Sequence, residues 1–404
     1  MTLPNDPTRN ALIRRPSTDL TTISTGDRIV SRMVGEALEI ARRQAIQAAK
    51  RTIKLGHFDL CEPDYRQIVR WAKALDREPA DLLVELSELT WDLDDELSAR
   101  FRIEGGSIKE LAWDGDLLPI ENFEWEAGLE IEVLYVQGPL PSISQLLPSL
   151  RVLNVSGRRR RMDDLARTVN LTELDLSSLP GLTRLDCSSN QLTELDLSLA
   201  PGLTELYCSS NRLTKLDLSP VPGLRRLWCG SNELTKLDLS KVTSLTTLDC
   251  GNNQLTELDL SPVPGLTELD CGGGYWLRVD RTDVRVWVPG NQLTELDLSP
   301  VPGLTWLKCG DNQLTELDLS PVPGLTELYC VGNLLTKLDI SLMTVLTVLD
   351  YDQNHMSECP GPLMDGFIQL ICRNDQLTQL GLCPGEPYVI LTSDDSVHTI
   401  RESN

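Results

Sequence analysis

The chain has 404 residues, a formal net charge of −23 and an aromatic content of 5%. This acidity argues against a protein that binds the phosphate backbone of nucleic acids, because such binding depends on clusters of Lys and Arg. No apolar run is long enough for a membrane-spanning helix, and the polar N-terminus lacks the apolar segment of a secretory signal.

Before the repeats, the pattern divides the chain into three segments. Residues 1–26 predict a disordered or loosely attached terminus. Residues 27–105 predict a helical N-terminal domain or cap: the apolar spacing is helical up to about residue 55, and "EPDYRQIVRWAKALDREPADLLVELSEL" predicts two further helices broken near Glu78 and Pro79. Residues 106–170 predict degenerate first repeats, because "IEVLYVQG" and "LRVLNVSG" alternate as strands do.

The middle of the chain is a tandem repeat of one short unit. Successive units begin at Leu171, Leu192 and Leu213 and read "LTELDLSSLPGLTRLDCSSNQ", "LTELDLSLAPGLTELYCSSNR" and "LTKLDLSPVPGLRRLWCGSNE", and the pattern runs to residue 376. A fixed period of this length indicates stacked coils rather than a single compact core. In "LxxLxC", alternation predicts a strand with Leu and Cys pointing inward, followed by an Asn that bonds backbone groups at the turn.

Eight of the eleven cysteines fall in one column of this pattern. We expect them to be reduced, buried apolar thiols, which favours a reducing compartment; metal binding or disulfides within the column are the alternatives. Tyr351 replaces Cys in one unit. The column comprises Cys187, Cys208, Cys229, Cys250, Cys271, Cys309, Cys330 and Cys372.

The other half-repeat, "LTxLDLSxxPG", is nearly invariant and carries an Asp in each of the eight units from Leu171 to His355. We expect these carboxylates to accept hydrogen bonds from local backbone, Ser or Thr groups, with calcium binding as the alternative. Because Leu150 precedes Leu171 by one period, "LRVLNVSG" would continue into this half of the coil. A flattened coil with strands on both sides therefore also stays open.

The motif LxxLxCxxNxL resembles bacterial leucine-rich-repeat domains, and the 21-residue cysteine-containing unit resembles the internalin type. The resemblance implies an α+β protein in which a leucine-rich-repeat solenoid, with a parallel β-sheet and an irregular convex side, follows the helical N-terminal domain. It spans residues 171–376, leaving residues 377–404 as a C-terminal cap. The implied role is to bind a protein partner.

The outward positions of the Cys half vary most, and this variation points to a binding surface. Exposed Trp, Tyr and Arg contribute most to the energy of interfaces. We therefore expect two clusters on the concave sheet, one around Trp228 and one around Trp306. The candidate residues are Tyr207, Arg226, Trp228, Trp306, Lys308 and Tyr329.

Seventeen residues interrupt the array between Cys271 and Gln292. Two alternating runs flank "DRTD", which predicts a β-hairpin insertion at 274–289. An isolated hairpin is marginal in water, so this one would fold back on the coils or meet a partner; a tolerated insertion without function is the alternative. Its candidate contact residues are Trp276, Arg278, Arg281, Arg285 and Trp287.

The sequence predicts a non-enzymatic interaction scaffold or sensor without a cofactor, metal or small-molecule substrate. Catalytic motifs are lacking, and the three histidines are scattered. Two alternatives stay open: a bacterial effector delivered into another cell, or an enzyme with an unfamiliar N-terminal domain, for which Cys61 near His57 is the single hint. We expect a cytoplasmic protein, or one exported by a signal-less route.

Overall fold

The structure is a computed structural model. It describes residues 52–88, 101–114, 128–137, 149–157, 171–177, 179–278, 285–356, 369–372, 389–392 and 397–399. The chain divides into two units, residues 1–53 and 54–404, and the described residues lie almost wholly in the second. The segment 1–26 and most of the first predicted helix lie outside the described residues.

Two helices form near the start of the described chain, as the pattern predicts. They are α1 (Glu62–Ala74) and α2 (Pro79–Glu88). Helix α1 buries Ile68, Trp71 and Ala72 along one side, and its first turn carries acidic residues that suit the positive helix N-terminus. The predicted break is confirmed: α1 ends before Asp76, whose φ of 53° is incompatible with a continuing helix.

The helical prediction is wrong where it reaches residue 55. Ile53–Leu55 forms strand β1, which pairs with β2 (Phe58–Leu60) in a two-stranded sheet. Gly56, with a φ of 59°, lies in the tight turn between them. The short apolar run therefore alternates as a strand instead of extending the helical pattern.

The remaining strands are β3 (Arg102–Glu104), β4 (Ser107–Asp114), β5 (Val133–Gln137), β6 (Val152–Asn154), β7 (Arg184–Asp186), β8 (Glu205–Tyr207), β9 (Arg226–Trp228), β10 (Thr247–Asp249), β11 (Glu268–Asp270), β12 (Gly274–Arg278), β13 (Arg285–Pro289), β14 (Trp306–Lys308), β15 (Glu327–Tyr329), β16 (Val348–Asp350), β17 (Gln369–Cys372), β18 (Val389–Thr392) and β19 (Val397–Thr399).

Fifteen of these strands, among the described residues, form one sheet that follows chain order from β3 to β19 and omits β12 and β13. From β4 to β18 every neighbouring pair is parallel, and β3 and β19 add antiparallel edges. The last repeat unit, residues 356–376, departs from the consensus sequence. Its strand β17 nevertheless keeps the register of the sheet, since Leu349 pairs with Leu370. Strand β3 lies within the segment predicted to be helical, so the sheet begins before residue 106.

Helix α1 is joined to the first strands of this sheet by buried polar contacts. The Asp64 carboxylate, 1% exposed, accepts a hydrogen bond of 2.9 Å from the Ile108 backbone N–H. The Cys61 N–H donates to the Gly106 carbonyl at 2.6 Å. Helix α1 thus attaches to the end of the array at which strands β3 and β4 lie. At this end the apolar interior of the first coil must be covered from solvent.

The expected register of "LRVLNVSG" is wrong. Strand β6 aligns with the Cys half of the repeat, because Leu153 pairs with Leu185 and Asn154 with Asp186. Val155 takes the place of the cysteine, and its carbonyl accepts a hydrogen bond of 2.9 Å from Asn190 Nδ2. The separation of 32 residues between these strands breaks the fixed period. Strand alternation, rather than spacing, sets the register here.

The interior of each coil is apolar throughout. In one coil the inward residues run from Leu192 to Cys208, and all are at most 8% exposed. The prediction that the cysteines point inward is confirmed for seven members of the column, from Cys187 to Cys330, each a buried free thiol with 0% exposure. Burial raises the pKa of these thiols well above its usual range. Tyr351 is also fully buried, whereas the side chain of Cys372 is outside the description.

A ladder of asparagines joins consecutive coils, as the sequence predicts. Asn232 illustrates it: its Nδ2 donates to the carbonyls of Cys208 and Cys229, both at 3.0 Å, and its Oδ1 accepts from the Leu213 N–H at 3.0 Å. One side chain therefore bonds its own coil and the preceding one. The residue before each Asn has a positive φ in most coils, for example 55° at Ser231, which turns the chain off the strand.

The aspartate column lies on the exposed side of the coils, away from the sheet. The expectation of local hydrogen bonds is confirmed: Asp217 Oδ1 accepts from the Ser219 N–H at 2.9 Å, and its counterparts do the same. These bonds lower the pKa of Asp217 and its neighbours. The column is therefore a set of turn caps.

In the described part of the chain, no helix is both long and apolar enough to cross a membrane.

We expect the variant Asn232→Ala to lower the free energy of unfolding by about 3 kcal/mol. It leaves the buried Leu213 N–H without its partner. It also removes one of the two Asn hydrogen bonds that the carbonyls of Cys208 and Cys229 each accept. Urea unfolding of the full chain measures this loss. Glu233→Ala, an exposed neighbour, is the matched control. Equal stability of the two variants would show that the ladder does not hold the coils together.

Candidate functional site

The sheet face comprises two rows of outward side chains, at the first and third positions of strands β7 to β11 and β14 to β16. Each strand buries its central Leu and presents one side chain on either side of it. The parallel register sets equivalent positions side by side, and neighbouring strands are about 4.8 Å apart. Side chains that lie one repeat apart in sequence therefore meet across the face.

The first predicted cluster is ordered around Glu205. The rings of Tyr207 and Trp228 stack with centroids 4.3 Å apart and an interplanar angle of 5°. The Arg184 guanidinium lies 4.4 Å over the Tyr207 ring and also pairs with Glu205 at 2.8 Å. Arg226 approaches the same carboxylate at 3.9 Å. Arg184, Tyr207 and Trp228 thus form one continuous stack.

The second predicted cluster is ordered around Glu327 in the same way. Its Oε2 accepts hydrogen bonds from Trp306 Nε1 at 3.1 Å and from the Tyr329 hydroxyl at 3.0 Å, and the two rings are 6.0 Å apart. Burial and the Glu327 carboxylate raise the pKa of Tyr329 to about 12, so its hydroxyl stays a donor. Lys308 pairs instead with Asp270, at 2.8 Å.

The strip between the two clusters is acidic. Strands β10 and β11 present Thr247, Asp249, Glu268 and Asp270 on the sheet face. Burial, and then the neighbouring Asp270, raise the pKa of Asp249 to about 6. The structure therefore brings the predicted residues together as two separate aromatic groups with carboxylates between them.

The interruption does not break the stack of coils. Asn291, just after the insertion, takes the ladder position: its Nδ2 donates to the carbonyls of Cys250 and Cys271 at 3.0 and 2.9 Å, and its Oδ1 accepts from the Leu255 N–H. Strand β11 pairs directly with β14. Gly273 and Gly290 close the base of the insertion so tightly that a Cβ on Gly290 would lie 2.7 Å from the Gly273 carbonyl carbon.

The predicted hairpin is confirmed. Strands β12 and β13 pair antiparallel as a separate two-stranded sheet, with Trp276 opposite Trp287 and Arg278 opposite Arg285. Arg281 and the turn at 279–284 lie outside the described residues, and the predicted contacts of the hairpin stay predictions.

The family model described as leucine-rich repeats (2 copies) matches residues 201–241. The repeat array is a leucine-rich-repeat solenoid. No curated protein matches the chain.

Several solved structures are similar to parts of the chain. The functional domain of InlJ from Listeria monocytogenes, which includes a cysteine ladder, is 32% identical with a TM-score of 0.40; the match covers 56% of this chain and 54% of that one. The internalin InlF from Listeria monocytogenes is 21% identical with a TM-score of 0.42, and the match covers 63% of this chain and 66% of that one. YopM from Yersinia enterocolitica is 28% identical with a TM-score of 0.43, and the match covers 60% of this chain and 46% of that one. The chain thus matches about half the length of the InlJ domain.

Sequence reasoning misses the residues that order the site. Glu205 and Glu327 stand in the sequence only as variable outward positions, yet each fixes two or more neighbours. Both precede a Tyr by two residues, and the same ELY triplet, repeated in two coils, is a signal that could have found them. The pattern also misses Asn291 as a member of the asparagine ladder, because the insertion separates it from the Cys that it normally follows by three residues.

The residues considered for catalysis do not form a site within the described chain. His57 is exposed in the β1–β2 turn, whereas the Cys61 sulfur is buried against Gly105 and Ser107. Among the residues that the structure describes, no three His, Cys, Asp or Glu side chains converge as a metal site requires.

Stability of the solenoid should rise on acidification from about pH 7.5 to about pH 5. Burial raises the pKa of Asp249 and Asp350 to about 6 and that of Asp311 to about 7. A raised pKa means that the native state binds a proton more tightly than the unfolded chain, so this stability is lost as pH rises through 6 to 7. The melting temperature, recorded across this range, measures the effect.

The variant Asp311→Asn should raise the melting temperature at the higher pH and change little at the lower one. Asn tolerates the φ of 54° at this position. Asp259→Asn, on the exposed column, is the matched control because Asn can keep the same turn cap. A pH profile that is identical in both variants would assign the dependence to overall charge.

Proposed function

We propose that this leucine-rich-repeat protein is a non-enzymatic scaffold or sensor that binds a protein partner through its sheet face and its hairpin insertion. The fold is that of protein-interaction modules. The observation that carries the proposal is the pair of aromatic clusters, each held in place by a glutamate.

The two clusters have the chemistry of interface anchors. Trp, Tyr and Arg dominate the binding energy of protein interfaces. Trp228 and Trp306 are partly exposed although each is held by its neighbours. Rings that are fixed before binding lose little conformational entropy when a partner docks. An apolar surface ordered in this way supports recognition rather than solvation.

The charge of the face favours a protein over a nucleic acid. Arg184 and Lys308 are each paired with a carboxylate on the same face, and the strip between the clusters is acidic. Phosphate backbones are bound by basic surfaces.

The buried thiols also suit a reducing, cytoplasmic location, which we include in the proposal.

The hairpin extends this proposal to the edge of the same face. It begins at Gly274, shortly after Asp270, the last outward side chain of the face on β11, and the chain returns to the coil at Asn291. Its paired Trp and Arg positions are of the types enriched at interfaces. A partner docked on β11 and β14 would therefore lie near the base of the insertion.

The test is affinity capture of partners from a lysate of the native organism, comparing the wild type with Trp228→Ala plus Trp306→Ala. We expect the double variant to lose partners that the wild type retains. Leu199→Ala plus Leu342→Ala, which removes two exposed apolar side chains elsewhere, is the matched control. Deletion of residues 274–290, which joins Gly273 to Asn291, tests the hairpin separately.

Melting curves must first show that each variant is folded. Equal recovery of partners by the wild type and the double tryptophan variant would contradict binding through the sheet face. Recovery unchanged by the deletion would remove the hairpin from the proposal and leave the sheet face.

A further inference from the structure

A cavity of ≈ 480 Å³ opens on the sheet face between the two aromatic clusters. Trp228 on β9 forms one wall and Trp306 on β14 forms the other. The strand order β9, β10, β11, β14 places these two strands about 14 Å apart, three strand spacings. The floor is made by the outward residues of β10 and β11.

The floor of this cavity carries more negative than positive charge. Asp249, Glu268 and Asp270 all line it, together with Glu327 beside Trp306. Lys308 pairs with Asp270 and so neutralises one of these carboxylates. Asp249 accepts a hydrogen bond of 3.0 Å from the Gly251 N–H, but it has no ion-pair partner among the residues that the structure describes.

The walls of the cavity suit a cation. Tyr207 stacks on Trp228 from the β8 side, so the ring face of Trp228 toward β10 borders the cavity. An indole face attracts a Lys or Arg side chain through its π electrons. Trp306 is oriented by its hydrogen bond to Glu327. Aromatic walls around a carboxylate floor can hold both the apolar stem and the charged head of such a side chain.

We propose that this cavity binds a Lys or Arg side chain from an extended basic segment of the partner protein. This inference rests on the proposed function and identifies the chemistry of the partner at that site. Charge complementarity commits the cavity to a cationic occupant, and its size exceeds that of a metal ion. A segment lying across β10 and β11 needs about four extended residues to pass from one tryptophan to the other.

The ionisation of the floor supports this assignment. On β9 the residue opposite Asp249 is the uncharged Trp228, and on β11 it is Asp270. The charges that act on the Asp249 carboxylate are those of Asp270 and of Lys308 on β14. Burial and Asp270 raise the pKa of Asp249 to about 6. A cation bound above that pH would stabilise the charged carboxylate, so binding should strengthen as pH rises through 6.

The experiment measures binding of a fluorescent peptide of alternating Lys and Ser to the full chain by fluorescence polarisation. A peptide with Gln in place of Lys is the probe control. We expect Asp249→Asn and Trp228→Ala to weaken binding of the Lys peptide about tenfold, as for the loss of a charge-assisted contact. The matched protein control is Asp217→Asn, which removes one charge from an exposed turn cap that does not line the cavity.

Further readouts separate the cavity from the acidity of the whole chain. The gain of affinity between about pH 5 and about pH 7.5 should be present in the wild type and in Asp217→Asn but reduced in Asp249→Asn. Equal loss in Asp249→Asn and Asp217→Asn would overturn the proposal, since overall charge would then explain binding. Equal affinity for the Lys and Gln peptides, or no binding of the Lys peptide, would also overturn it.

These outcomes are distinguishable from failure of the proposed function. If the Lys peptide does not bind but the double tryptophan variant still loses partners from the lysate, the sheet face binds a partner of different chemistry. If both experiments fail, the sheet face is not the interface.

Discussion

One side-chain contact, the asparagine carboxamide that joins consecutive coils, makes the rest of this structure possible. A single coil cannot bury an apolar interior by itself, and where the chain leaves the strand its backbone groups would be buried without partners. The carboxamide solves both problems, because one Asn donates to the carbonyls of two coils and accepts from an N–H of the earlier one. Threonines add a second link between coils, as from Thr204 to the Thr183 carbonyl.

Because the interior and the turns are fixed in this way, the sheet face is free to vary. The side chains at the first and third strand positions take no part in the apolar interior or in the asparagine ladder. These positions can therefore hold Trp in one coil and Asp in the next. The same independence explains why the insertion is tolerated. Asn291 takes the next position in the ladder, and the Gln292 N–H donates to the Leu255 carbonyl. The coils on either side therefore stack as they would without the hairpin. Variation is thus concentrated at the outward strand positions, and the insertion is accommodated because the ladder resumes at Asn291.

Much of the fold could be predicted from the sequence because its causes are local and repeated. The period, the inward Leu and Cys, the Asn and the capping Asp each depend on contacts within one coil or its neighbour. The register of β6 could not be predicted by counting, since its coil is longer than the regular repeat. Strand β1 is wrongly predicted as helix because a short apolar run fits both periods.

The site was predictable only in part. Aromatic and basic residues stand out in a variable column, which located both clusters. Their organisation depends on side chains one repeat apart and on which glutamate each one reaches, and a list of positions does not contain that information. The acidic floor between Trp228 and Trp306 likewise emerges only when β11 is seen to pair with β14 across a separation of 38 residues.

The continuity of the asparagine ladder across the insertion is tested most directly by hydrogen exchange of single backbone amides. The Leu255 N–H bonds to Asn291 Oδ1 at 3.0 Å, and the Gln292 N–H to the Leu255 carbonyl at 2.7 Å. These amides should be protected to within about tenfold of their counterparts Leu234 and Gln254 in the preceding coil. Fast exchange at Leu255 and Gln292, with protection retained at Leu234 and Gln254, would show instead that the array is divided in two at the hairpin.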